Sequence, residues 1–203
     1  MPRLQKLFRM FVIRARGLDP FYEEYLKDKK VLDIGCGQGE LLKKNPAKIS
    51  GIDLNSRVVE NLKKDGLNAV LGSATQLPFG EEEFEVINCR HVIEHLTPVE
   101  GQKMFNEIYR ILKSGGKVIL ITPTEYTVWN TFGHIKPYTP TAVKKLFKEF
   151  SLEAFESVRG FAMEDIYYYG RFSGRVPFLI STILSYAFPW FRGQYIMIIK
   201  KNN

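Results

Sequence analysis

Residues 31–39 read VLDIGCGQG, an apolar strand that runs straight into three glycines spaced two apart. Gly35, Gly37 and Gly39 carry no Cβ where the chain must turn. The loop can therefore bend sharply, present its backbone N–H groups and let a flat ligand lie on the main chain at the carboxyl end of a strand. Spacing excludes two common phosphate binders. A dinucleotide fingerprint needs glycine at position 40, where Glu40 stands, and a Walker loop needs a Gly-Lys-Ser/Thr ending that is absent. Glu40 also repels a pyrophosphate from the segment that follows, which points to a ligand without phosphate. Asp53 closes the next apolar run, where a carboxylate is placed to accept from both hydroxyls of a ribose.

From Lys30 onward, apolar runs at 30–35, 48–53, 68–71, 84–89 and 116–122 alternate with helical patterns. That alternation predicts a parallel α/β sheet with right-handed crossovers. The best-marked helix begins at Thr97-Pro98-Val99-Glu100, with Thr97 as N-cap, proline in the first turn and Glu100 completing a capping box. It buries Met104, Phe105, Ile108, Ile111 and Leu112 and is expected to stop at Gly115-Gly116. A later helix starts at Thr139-Pro140 and turns Val143, Leu146, Phe147 and Phe150 to one face. At 203 residues the chain supports one core and a single domain, 1–203.

Two segments stand apart. Leu4, Leu7, Phe8, Phe11 and Val12 predict an amphipathic helix over 3–15 with arginines on its other face, suited to capping a core or to lying on a membrane. Residues 160–193 hold ten aromatics, and 176–191 carry no charge. The latter stretch is too short, and interrupted by Pro189, to cross a bilayer. It reads as extra core or as an aromatic lid that touches membrane. The net charge of +7 lies largely in lysine pairs on solvated helix faces, so it permits nucleic acid without requiring it. Cys36 and Cys89 fall at strand ends rather than in a disulfide framework, and no secretory segment is present, which favours the cytoplasm.

The chain resembles the class I S-adenosylmethionine-dependent methyltransferases, in particular their small-molecule, quinone-biosynthesis-like branch. After the glycine loop come GIDLNSRVVE at 51–60, GSATQLPF at 72–79, FEVINCRHVIEHL at 84–96, EIYRILKSGGKVILITPT at 107–124 and HIKPYTPTAVKKLF at 134–147, in the family's order. The resemblance implies a Rossmann-like, seven-stranded, mostly parallel sheet of order 3-2-1-4-5-7-6, with strand 7 antiparallel and helices on both faces. Strand 6 is expected at Leu152–Val158 and strand 7 at Tyr195–Lys200, with 160–193 as an insertion between them.

It also implies S-adenosylmethionine as cofactor. Asp33 then belongs to the methionine-ammonium network, Gly35, Cys36, Gly37 and Gly39 approach with their backbones, Asp53 holds the ribose, and Leu54 packs on adenine. Ser73-Ala74 stands where relatives have Asp-Ala, a neutral acceptor in place of a charged one and so a weaker contact. Arg90 follows at the end of strand 4. Methyl transfer from a sulfonium chiefly requires alignment and exclusion of water, so no fixed triad is expected. The candidates for deprotonating an acceptor are His91, His134 and Tyr138.

His91-Val92-Ile93-Glu94-His95 also matches an inverted zinc-protease motif. Helical spacing sets His91 and His95 on one face, yet no third ligand is evident, and no metal is expected. The leading expectation is a methyltransferase for a small, apolar or aromatic acceptor. The rivals are an RNA methyltransferase, against which stands the absence of Asn-Pro-Pro-aromatic after strand 4, and a non-catalytic cofactor-binding protein.

Overall fold

The structure, a computed structural model, describes residues 19–148, 157–170 and 178–203. The expected helix 3–15, Phe150 and residues 152–156 of the expected sixth strand lie outside the described residues. Among those described, one sheet holds β1 Val31–Ile34, β2 Ile49–Asp53, β3 Ala69–Leu71, β4 Phe84–Arg90, β5 Leu112–Pro123, β6 Phe161–Gly170 and β7 Arg192–Lys201. Its order is β3-β2-β1-β4-β5-β7-β6. The first five strands run parallel, and β7 is antiparallel to both of its neighbours, as expected from the sequence.

Both faces of the sheet are buried, which is why its strands read as continuous apolar runs. Helix α1 spans Ser56–Lys64, α2 Pro98–Ile111, α3 Pro140–Leu146 and α4 Phe178–Ala187. On one face Met104, Phe105, Ile108 and Ile111 of α2 pack with Leu32, Ile34, Ile87, Leu120 and Met197. On the other, Tyr25, Leu42, Val59 and Leu62 pack with Val31, Val86, Ile119 and Ile198. The α2 capping box forms as read, with Thr97 and Glu100 each accepting from the other's backbone, a motif that contributes about 1 kcal/mol.

Several boundaries differ from expectation. Helix α2 ends at Ile111, because Leu112 already pairs with Phe84 in the sheet. Gly115, at φ 73°, instead makes an irregularity where the ladder shifts register before Val86. After the glycine loop only a 3₁₀ turn forms, Leu42–Lys44; Pro46 follows closely and turns the preceding residue away from helix.

Among the described residues the strand beside β7 is Phe161–Gly170, and Ser157 and Val158 of the expected Leu152–Val158 lie outside any strand. Strand β6 lies inside the stretch read as an insertion. Its period-2 pattern is broken at Glu164, where the pairing with β7 shifts register between Met163 and Asp165 and the carboxylate reaches Lys117 at 2.7 Å. The link between β6 and β7 is therefore 171–191 and contains α4 and a 3₁₀ turn, Pro189–Phe191. Part of this region is core, since Phe161 and Tyr167 are buried, and part stays on the surface. Among the described residues no helix is long and apolar enough to cross a membrane.

Candidate active site

A cleft of about 930 Å³ opens at the carboxyl ends of β1, β4 and β5, beside the start of β7. The strand order reverses between β1 and β4, so the loops that follow them part and leave a crevice. Its wall includes Asp33, Gly35 and Cys36 from β1 and its loop, Asn88, Arg90 and His91 from the end of β4, and His134 from the segment after β5.

Asp33 is buried, and the Asn88 amide, its neighbour in the β1–β4 register, donates to Oδ1 at 2.7 Å. Burial pushes this carboxyl up to about 6, against which the Asn88 hydrogen bond and the nearby Arg90 act only in part. A carboxylate this poorly solvated in a cleft wall is matched to a cationic ligand group.

The three glycines of the loop are each held in the left-handed region, with φ 71° at Gly35, 49° at Gly37 and 70° at Gly39. A Cβ at Gly35 would run into the Val92 side chain and one at Gly39 would stand 2.5 Å from Leu62 Cδ2, whereas Gly37 faces open space. The Gly37 N–H donates to Asp53 Oδ2 at 3.0 Å, and Asp53 Oδ1 accepts from the Asn55 N–H at 2.9 Å. Asp53 thus ties the loop to the start of α1, and each oxygen keeps a lone pair for a sugar hydroxyl.

Leu54 is 73% exposed, an apolar ledge next to that carboxylate. Ser73 is engaged locally, its Oγ 2.8 Å from Thr75 Oγ1, and Ala74 is buried. Of the expected cofactor residues, Asp33, Gly35, Cys36 and Arg90 line the cleft, while Gly37, Gly39, Asp53, Leu54, Ser73 and Ala74 are not part of its wall. Burial pushes the Cys36 thiol up to about 12, so Cys36 fills space. Sequence reasoning missed what admits it: a Cβ at Gly51 would stand 2.6 Å from Cys36 Sγ. It also missed Asn88, whose only signal was an amide inside an apolar strand.

The three acceptor-side candidates separate. His91 sits at φ 55°, rare for a residue with a Cβ, and strain of this kind clusters at functional positions. Its Nδ1 lies 3.0 Å from Oε1 of Glu94, which is fully buried and accepts from Thr122 Oγ1 through Oε2 at 3.1 Å. Nδ1 therefore donates, and Nε2 is the ring nitrogen left for the cleft. His134 lines the cleft with Nδ1 donating to the Val128 carbonyl at 2.7 Å. Tyr138 is buried outside the cleft wall. Its hydroxyl donates to the Leu96 carbonyl at 2.9 Å, and burial pushes the phenol up to about 12.

The expected helix carrying His91 and His95 is a single 3₁₀ turn, Ile93–His95, so the two imidazoles part. His95 instead meets His134, ring centroids 4.7 Å apart, and ligand atoms of Glu94, His95 and His134 lie within 4.8 Å of one another. The third member comes from a distant loop, which no spacing rule could supply. Each group also has a protein partner. His95 Nδ1 donates to the Gly133 carbonyl at 3.1 Å, and the Glu94 carboxylate is engaged by His91 and Thr122.

A glycine loop after the first strand of a 3-2-1-4-5-7-6 sheet defines the class I, Rossmann-like methyltransferase fold. Residues 32–120 match the methyltransferase domain family. The cofactor of such a domain is S-adenosylmethionine. The site fits it: Asp33 is a buried anion suited to the ammonium, Gly37 leaves an open cradle, and Asp53 offers sugar acceptors beside the Leu54 ledge.

The chain is 28% identical over 135 residues to an uncharacterized methyltransferase of Synechocystis, covering 60% of this chain and 64% of that one. It is 30% identical over 106 residues to the ubiquinone biosynthesis O-methyltransferase of Coxiella burnetii, covering 48% and 44%. The chain thus spans less than two thirds of the length of either relative. A crystal structure of a SAM-dependent methyltransferase from Archaeoglobus fulgidus superposes with TM-score 0.63 at 20% identity, over 97% of this chain and 94% of that one, and shares the fold.

Proposed function

We propose that this chain transfers a methyl group from S-adenosylmethionine to a small, apolar or aromatic acceptor carrying an ionisable hydroxyl or amine, with His91 as the base. The observation that carries the base is the His91–Glu94–Thr122 relay at the cleft. Bound beside Asp33 and the glycine loop, the cofactor supplies an already activated methyl. Asp33, Gly35, Gly37, Asp53 and Leu54 bind and orient, while Arg90 borders the cleft. Glu94 fixes the imidazole tautomer, so that Nε2 takes the acceptor's proton and the carboxylate stabilises the imidazolium that results. The apolar acceptor is supported by the uncharged stretch 178–191, which leads into Gly193 of the cleft wall. The reading includes a peripheral membrane contact through 3–15 and 176–191 and a cytoplasmic location, in keeping with two free, buried cysteines.

Calorimetric titration with S-adenosylmethionine and its demethylated product tests the pocket before any acceptor is known. Labelled methyl should enter lipid extract and neither protein nor RNA; incorporation into RNA alone would overturn the reading. His91→Asn should lower kcat by about 100-fold or more with cofactor affinity unchanged, since general bases contribute on this scale. Glu94→Gln should lower kcat by about tenfold and shift the pH–rate profile.

The Glu94, His95 and His134 cluster is proposed to be structural, pinning residues 128–135 to the exit of β4. Purified protein should contain no stoichiometric zinc, and His95→Asn should cost about 1–2 kcal/mol of stability through its lost hydrogen bond. One zinc held per chain in elemental analysis would reverse this assignment.

A further inference from the structure

We propose that the mouth of the cleft is a docking rim for an anionic phospholipid bilayer, built from the loop after β5 and the segment before β7. This deepens the apolar-acceptor reading by naming the surface from which such an acceptor is taken. Its test needs neither acceptor nor cofactor, so either idea can fail alone.

The loop after β5 exposes Trp129 at 64% and Phe132 completely, with Ile135 and Tyr126 also turned outward. The segment before β7 exposes Trp190 at 57%, and its neighbour Phe188 lies 5.4 Å away, ring to ring. Hydrogen bonds stitch the two segments together. Thr127 Oγ1 donates to the Gly193 carbonyl at 2.6 Å, and Thr124 Oγ1 donates to the Arg192 carbonyl at 2.9 Å. Thr127, Thr131 and Gly193 also line the cleft, so the apolar rim borders the opening itself. The loop is anchored rather than slack: Val128 is fully buried, and its carbonyl accepts from His134. Large apolar side chains held outward beside a ligand cleft mark an interaction surface.

Charge decides which partner. Residues 126–148 and 178–193, which contain the rim, hold five lysines and arginines and no acidic residue. Exposed tryptophan and phenylalanine on segments whose charged residues are all cations suit an interface with negatively charged headgroups. RNA is disfavoured, since the uncharged, apolar stretch 178–191 suits insertion among acyl chains rather than contact with a phosphate backbone.

The chain's two tryptophans are Trp129 and Trp190, both on the rim, so intrinsic fluorescence reads the contact directly. Phosphatidylcholine vesicles containing phosphatidylglycerol should shift the emission to the blue, and the protein should sediment with them. Pure phosphatidylcholine should bind at least about tenfold more weakly. A Trp129→Ser, Phe132→Ser double variant should lose vesicle affinity by about tenfold or more while melting as the parent does and binding S-adenosylmethionine equally well. Unshifted emission with anionic vesicles would overturn the proposal. So would displacement of the vesicles by RNA at equal charge, or a concentration-dependent dimer that buries both indoles without lipid.

Discussion

Asp33→Asn should make the cofactor-free chain more stable and nearly useless as a binder. The Asp33 carboxyl rises from 3.8 to about 6 because burial removes its solvation. That rise corresponds to up to about 3 kcal/mol of instability once the group is ionised. Asparagine keeps the acceptor that Asn88 needs and removes the charge. At neutral pH the variant should melt about 5–10 °C higher, while S-adenosylmethionine affinity falls by about 100-fold through loss of the ammonium partner. The sign also fixes a pH signature. A raised carboxyl contributes stability that is complete below about 4 and is lost as pH climbs through about 6. The gap in melting temperature between variant and parent should therefore close near pH 4 and be full by pH 7. Cofactor affinity of the parent should fall as pH drops below about 6. A variant that melts no higher than the parent at pH 7 would show that Asp33 is solvated after all.

Gly35→Ala should be among the most damaging single-methyl additions available. Position 35 requires φ 71°, which costs a residue with a Cβ about 1–2 kcal/mol, and the new methyl would run into the Val92 side chain. Together these should cost about 3 kcal/mol. They should also displace the Gly35 and Cys36 N–H groups from the Ile52 carbonyl, which both now reach, at 2.8 and 3.2 Å. Cofactor binding should vanish with the loop geometry. Adding Val92→Ala relieves the clash and leaves the dihedral cost, so the double variant should recover part of the stability in urea unfolding. A double variant no better than Gly35→Ala alone would assign the whole penalty to the backbone.

The glycine-loop geometry was legible because it is local. Gly35, Gly37 and Gly39 mark positive φ directly, and Asp33 and Asp53 lie at the ends of apolar strands. The acceptor side was not legible, because its parts meet only in space. His91 gains a role from Glu94 and from Thr122, one strand away, and His134 joins the group from a loop beyond β5. Helical spacing paired His91 with His95, but a left-handed residue and a 3₁₀ turn separate them.

The sequence alone determined the sheet's parallel α/β class and the glycine turn, from alternating apolar runs with capped helices between them, while the strand order was what the family resemblance implied. It missed the sixth strand, because Glu164 turns out of step at a bulge and reads as a break in the pattern. Only the tertiary structure decided which aromatics near the carboxyl terminus are core and which form the rim. Tyr167 and Trp190 look alike in a linear pattern, but Tyr167 faces a neighbouring element, its hydroxyl 3.2 Å from that of Tyr25, while Trp190 faces outward. Burial is a property of what stands opposite a side chain, and that neighbour is chosen by the fold rather than by the residues beside it.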